Sequence, residues 1–108
     1  MIYELRVYTC NPGMLSALNE RFANHTLTLF EKHGIQSIGY WTTEVGESNH
    51  ELTYLLAFES ESQRARSWAS FRADPKWQQV FDKSHDNGVI VRNVRNQLLV
   101  PTAYSPLQ

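Results

Sequence analysis

The sequence predicts a single α+β domain whose elements run β-α-β-β-α-β and whose strands form one four-stranded antiparallel sheet. Three observations predict it. Both ends of the chain have strand character, the first alternating in polarity; an apolar stripe at helical spacing follows the first strand; and a second helical stretch breaks at Asp74-Pro75. With 108 residues, 42% of them hydrophobic, the chain is long enough for one core and too short for two.

Ile2 to Cys10 alternates, with Tyr3, Leu5 and Val7 on one side and Glu4, Arg6 and Tyr8 on the other, until Asn11-Pro12-Gly13 stops the strand. From about Met14 to His33, the apolar residues Leu15, Leu18, Phe22 and Leu29 recur at helical spacing, while Asn19, Glu20, Asn24 and Lys32 fall elsewhere around the cylinder. Gly34 is placed to close this helix as its C′ residue. Ile35 to Val45 and Leu52 to Phe58 are strand-like, and Gly46-Glu47-Ser48-Asn49 between them makes a hairpin. Glu59-Ser60-Glu61-Ser62 sets small polar and acidic residues ahead of Arg64 to Ala73, as at a helix start. Aspartate caps and proline suits a first turn, so a second short helix is expected from Pro75 to about His85, burying Trp77, Val80 and Phe81. Asn87-Gly88 ends it. Val89 to Val100 returns to strand character, and Pro101 and Pro106 predict an extended tail over 101–108.

Ten basic residues against eleven acidic give no broad attraction to nucleic acid or anionic lipid. Tyr54 and Phe58 could stack bases on a sheet, but the RNP1 pattern is missing, so RNA recognition ranks last. Cys10 is the lone cysteine, which excludes an intrachain disulfide and fits a reducing, cytoplasmic setting. The first residues lack a basic segment followed by an apolar run, and no span reaches transmembrane length. Gly34, Gly39 and Gly46 are scattered without a phosphate-loop pattern. No cofactor, nucleic acid or membrane partner is therefore expected.

Apolar residues occupy both sides of the strands. Leu52, Tyr54, Leu56 and Phe58 share one face of the third strand, with Leu55 and Ala57 on the other; the last strand sets Val89 and Val91 against Ile90, Val94 and Leu98. Helices joined by these connections cover one face only, so a two-fold partner closing over the second face is the economical expectation. The alternative is a monomer whose tail folds back across the sheet.

The chain resembles the NIPSNAP family within the dimeric α+β barrel (ferredoxin-like) superfamily. The matching stretches are Tyr3 to Tyr8 followed by Pro12-Gly13, Gly39-Tyr40-Trp41 with Gly46 and Asn49, Leu55 to Phe58, Arg64, Asp74-Pro75-Lys76-Trp77, and Pro101 to Ser105. The resemblance implies two four-stranded sheets meeting in a homodimeric barrel, with helices outside and often a pocket between each sheet and its helices. It carries over no catalytic residues.

Arg6 and Tyr8 project from one side of a strand that the resemblance places centrally, so Arg6 needs an anion, either Glu4 in a structural pair or a ligand carboxylate. His25 flanks the apolar stripe and could move a proton near neutrality, or simply pack. His33 lies about 12 Å further along the helix axis, too far to share a metal with it. Trp41, Tyr54 and Trp77 can line a ligand cavity; Trp68 and Phe71 fit core packing better. The favoured expectation is a small molecule bound between sheet and helices by Arg6, Tyr8, His25, Trp41, Tyr54 and Trp77. The alternative is a cofactor-free enzyme of monooxygenase, isomerase or decarboxylase type using His25 and Arg6, by analogy of fold.

Overall fold

The computed structural model describes residues 1–108. Four strands, β1 (Ile2–Cys10), β2 (Gln36–Thr42), β3 (Glu51–Phe58) and β4 (Val91–Leu99), pair antiparallel in the spatial order β2-β3-β1-β4. Between β1 and β2 the chain forms one continuous rod in three parts: α1 (Leu15–Arg21), a π-helical segment (Phe22–Thr26) and α2 (Leu27–Lys32). Between β3 and β4 lie α3 (Glu61–Ala73) and α4 (Pro75–Ser84). The order β-α-β-β-α-β holds, with the second helical segment broken at Asp74-Pro75.

Local chemistry sets the boundaries. The Ser60 side chain accepts the Gln63 N–H at the start of α3, and the Asp74 side chain accepts the Lys76 N–H at the start of α4, where Pro75 occupies the first helical position. Gly34 ends the rod at φ +74°, a left-handed conformation that costs glycine nothing. Within the rod, the Leu27 N–H reaches back five residues to the Phe22 carbonyl, and the Thr26 hydroxyl bonds the Arg21 carbonyl. This wider turn brings Thr26 rather than His25 to the buried side.

All the helices lie on one face of the sheet. That inner face carries Glu4, Arg6, Tyr8 and Cys10 of β1 and Leu52, Tyr54, Leu56 and Phe58 of β3, and its apolar members pack with Leu18, Phe22, Leu29, Phe30, Trp68 and Phe71 from the helices. The apolar row of β1, Tyr3, Leu5 and Val7, points to the outer face. There Tyr3 and Ala57 are buried, and the Tyr3 hydroxyl donates to the Gln108 carbonyl.

Several sequence expectations change. The tail over 101–108 is not extended: the Ser105 N–H bonds the Thr102 carbonyl and the chain turns back to Tyr3. β2 stops at Thr42, so the hairpin connection is longer than expected and Val45 is exposed within it. β4 begins at Val91, and an irregularity opposite Thr9/Cys10 inserts Arg92. Val91 consequently faces the same side as Val94 and Leu98 rather than the opposite one. α4 buries none of its residues fully; Trp77 and Val80 are half-buried and Phe81 is exposed, because α4 packs on the other helices at the margin of the core.

Candidate functional site

The inner face of β1 puts three polar side chains where a sheet covered by helices normally puts apolar ones. Glu4 is completely buried, and its carboxylate accepts from five atoms. Its Oε1 takes Arg64 Nε at 2.9 Å and Trp68 Nε1 at 2.8 Å; its Oε2 takes Arg6 Nη1 at 2.9 Å, Arg64 Nη2 at 2.8 Å and Asn96 Nδ2 at 3.0 Å. Burial works against the charge, but donors from Arg64, Asn96 and Trp68 and the positive charge of Arg6 outweigh it and hold the carboxyl down at about 2.

Each nitrogen of Arg6 has a partner in turn. Its Nε donates to the Tyr54 hydroxyl at 2.8 Å and its Nη2 to the Tyr8 hydroxyl at 3.1 Å, while the guanidinium lies 4.6 Å from the Trp68 ring centroid. The two hydroxyls touch at 3.0 Å. Only one of them can donate across that contact, so one phenolic proton of the pair keeps no protein acceptor. Burial pushes the Tyr54 phenol well above its usual range, with Tyr8 adding to the effect, so the proton stays on at neutral pH. Tyr40 stacks on Tyr54 at 5.2 Å and closes the aromatic wall.

Arg21 completes the compartment, and it is the residue that sequence reasoning passes over. It is 6% exposed, its Nη1 donates to the Ser84 hydroxyl at 3.2 Å, and its Nε is buried without any partner. Trp77 and Phe81 of α4 lie under the guanidinium, at 5.3 and 5.6 Å. No carboxylate pairs with it, and burial lowers its pKa. Its position three residues after Leu18 and one before Phe22 is the signal that puts a cation inside the apolar stripe.

Of the residues singled out from sequence, Arg6, Tyr8 and Tyr54 thus form one hydrogen-bonded unit, and Trp77 lies against Arg21, which is in electrostatic reach of both tyrosines. His25 does not: it is exposed and lines a groove of about 180 Å³ with Asn24, Thr28, Leu29, Lys32, Lys76 and Val80, on the outside of the helices. Trp41 does not either. It is 54% exposed on the outer face, lying across Gly39, where a Cβ would sit 2.6 Å from the indole. An acid-base pair of His25 with Arg6 is therefore not assembled. His33 lies between Ser70 Oγ at 2.6 Å and Asp74 Oδ2 at 2.7 Å, tying the rod to the α3–α4 junction. Trp68 and Phe71 are core residues.

The NIPSNAP family model matches residues 3–106. A NIPSNAP family protein of unknown function from Agrobacterium tumefaciens is 27% identical over 100% of this chain and 94% of its own, with a TM-score of 0.88. An uncharacterized NIPSNAP domain protein from Burkholderia xenovorans is 23% identical, covering 98% and 99% of the two chains with a TM-score of 0.85. A putative antibiotic biosynthesis monooxygenase from Nitrosomonas europaea shares the fold at 5% identity, with a TM-score of 0.62 over 94% and 98% of the chains. No curated protein matches the chain.

Proposed function

We propose, from the premise that the chain belongs to the NIPSNAP family, that this domain binds a small molecule between the sheet and its helices, beside Tyr8 and Tyr54. The observation that carries this reading is the spare phenolic proton of the Tyr8–Tyr54 pair, held next to an arginine whose three nitrogens all have protein partners. Such a donor lacks a protein acceptor and suits a ligand oxygen. The approach would be along β4, where Val94 stands opposite Tyr8 and Leu98 opposite Glu4, on the helix side yet 42% and 41% exposed. These apolar side chains flank Asn96 and offer a greasy approach to a polar floor.

Thermal unfolding with a panel of small phenols, alcohols and carboxylates tests the reading. A ligand at about 100 times its dissociation constant stabilises the fold by about 2.7 kcal/mol, and that gain should vanish in the double variant Tyr8→Phe, Tyr54→Phe. Unchanged affinity in the double variant would remove the site from consideration.

A second reading concerns assembly: the domain pairs with a copy of itself through the outer face of the sheet. It is favoured by the row Leu5, Val7 and Leu55, which is only half-buried, and by the exposed Trp41 and Leu99 beside it. No helix of the chain is long and apolar enough to cross a membrane.

A further inference from the structure

The compartment between sheet and helices has more positive charge than its own side chains balance. Arg6, Arg21 and Arg64 reach into or border it, and Glu4 is the carboxylate that answers them. Glu4 divides its lone pairs among Arg6, Arg64, Trp68 and Asn96, so nothing is left for Arg21. The remaining groups in electrostatic reach of Arg21 are Tyr8, Tyr54 and Cys10. Burial raises the Cys10 thiol and the Tyr54 phenol, so both stay neutral. A guanidinium buried at 6% exposure with an orphaned Nε–H is costly to fold around, unless an anion is meant to arrive.

We propose that Arg21 is the anion clamp of the binding site and that the ligand is a small organic monocarboxylate with an apolar body. This rests on the small-molecule reading above and names its chemical class. Arg21 Nε is the buried side-chain nitrogen left with no partner, and one phenolic proton of Tyr8–Tyr54 has no protein acceptor. They match the two oxygens of one carboxylate and the single charge of one arginine. A phosphate would bring a second negative charge against the one unpaired positive charge of Arg21. The ring faces of Trp77 and Phe81 that flank Arg21 suit the organic part of the ligand. These walls belong to α4, which buries none of its residues fully and packs at the margin of the core.

Isothermal titration and thermal unfolding of the full chain with benzoate, benzyl alcohol and inorganic phosphate test the proposal, using the wild type, Arg21→Met and Arg21→Lys. Benzoate should bind the wild type and raise its Tm, phosphate should not, and both variants should bind benzoate about 10- to 100-fold more weakly. Unliganded Arg21→Met should melt at or above the wild-type temperature, because an unpaired buried charge has been replaced by an apolar chain of similar length. A purely structural arginine would instead give a lower Tm with benzoate affinity unmoved, and that result overturns the proposal. Should Arg21→Met not fold, Arg21→Lys keeps the charge without the Nε–H, and the ¹⁵N resonance of Arg21 Nε in the wild type reports contact directly. If that resonance does not respond to benzoate, the clamp is refuted. If benzyl alcohol binds wild type and Arg21→Met alike while benzoate binds neither, the carboxylate assignment fails and the small-molecule reading stands. If no probe binds and the double tyrosine variant melts like the wild type, both fail.

Discussion

Glu4 shows how one residue sets the character of the whole inner face. Its partners lie 2, 60, 64 and 92 positions away, at Arg6, Arg64, Trp68 and Asn96, so the carboxylate joins two strands and a helix at one point. Replacing it by glutamine would leave Arg6 buried beside uncharged oxygen and should cost on the order of 3 kcal/mol, measurable as a lower midpoint in urea. The same residue sets an acid limit. Its folded pKa of about 2 lies below the ordinary 4.5, so its contribution is complete above about 4.5 and is lost as pH falls toward 2. Unfolding free energy followed from pH 6 to pH 2 should drop across that window in the wild type and much less in Glu4→Gln. The Glu4–Arg6 pair was legible from sequence because residues two apart on a strand share a face. Its remaining partners were not, since nothing local links Glu4 to Trp68 or Asn96. Arg21 escaped for a related reason: a cation in an apolar stripe reads as a surface residue until the packing is known.

At the scale of elements, capping chemistry was the most legible part of the chain and helix geometry the least. Asp74-Pro75 announced both the end of α3 and the start of α4, and the Asp74 side chain caps Lys76 as aspartate at that position should. It also accepts from Lys32 at 2.9 Å and from His33 at 2.7 Å, which fastens the end of the rod to the helix junction. Those two bonds and the cap hold the Asp74 carboxyl well below the usual carboxylate range. Asp74→Ala removes the cap and both of those bonds and should loosen α4 selectively, so that hydrogen exchange of amides 76–84 quickens more than that of the β1 and β3 amides. Uniform exchange across the chain would instead make the aspartate a global strut. The π-helical segment had no counterpart in the sequence pattern, because Leu18, Phe22 and Leu29 fit an unbroken α-helix equally well. The extra residue accommodated near Thr26 decides that His25 looks outward, whereas Arg21, in the regular turns before it, faces inward by its spacing from Leu18. The helix itself was legible, then, while the facing of His25 was not.

For the molecule as a whole, the two faces of the sheet have opposite compositions from those the pattern of β1 suggests. The side of β1 with glutamate, arginine and tyrosine is the one under the helices, and the side with Tyr3, Leu5 and Val7 is the one away from them. An outer face of that composition needs a cover. The turned tail supplies one at Tyr3, through the Tyr3–Gln108 bond, but Trp41 and Leu99 remain substantially exposed. Near the other end of this face the side chains turn polar, where Thr9 and Arg95 both bond Glu51. An apolar centre bordered by a polar margin is the pattern of an interface, and two copies related by a two-fold axis would bury Leu5, Val7 and Leu55 against their equivalents. Sedimentation equilibrium should accordingly return about twice the 12.5 kDa of one chain, and Leu5→Glu combined with Leu55→Glu should return the mass of one. A glutamate pair facing its own copy would be repelled and desolvated, whereas glutamates on a face already open to water would cost little. A wild-type mass of 12.5 kDa at every concentration would make the tail the only cover this face has, and removal of residues 101–108 should then lower the Tm sharply instead of leaving a well-folded dimer.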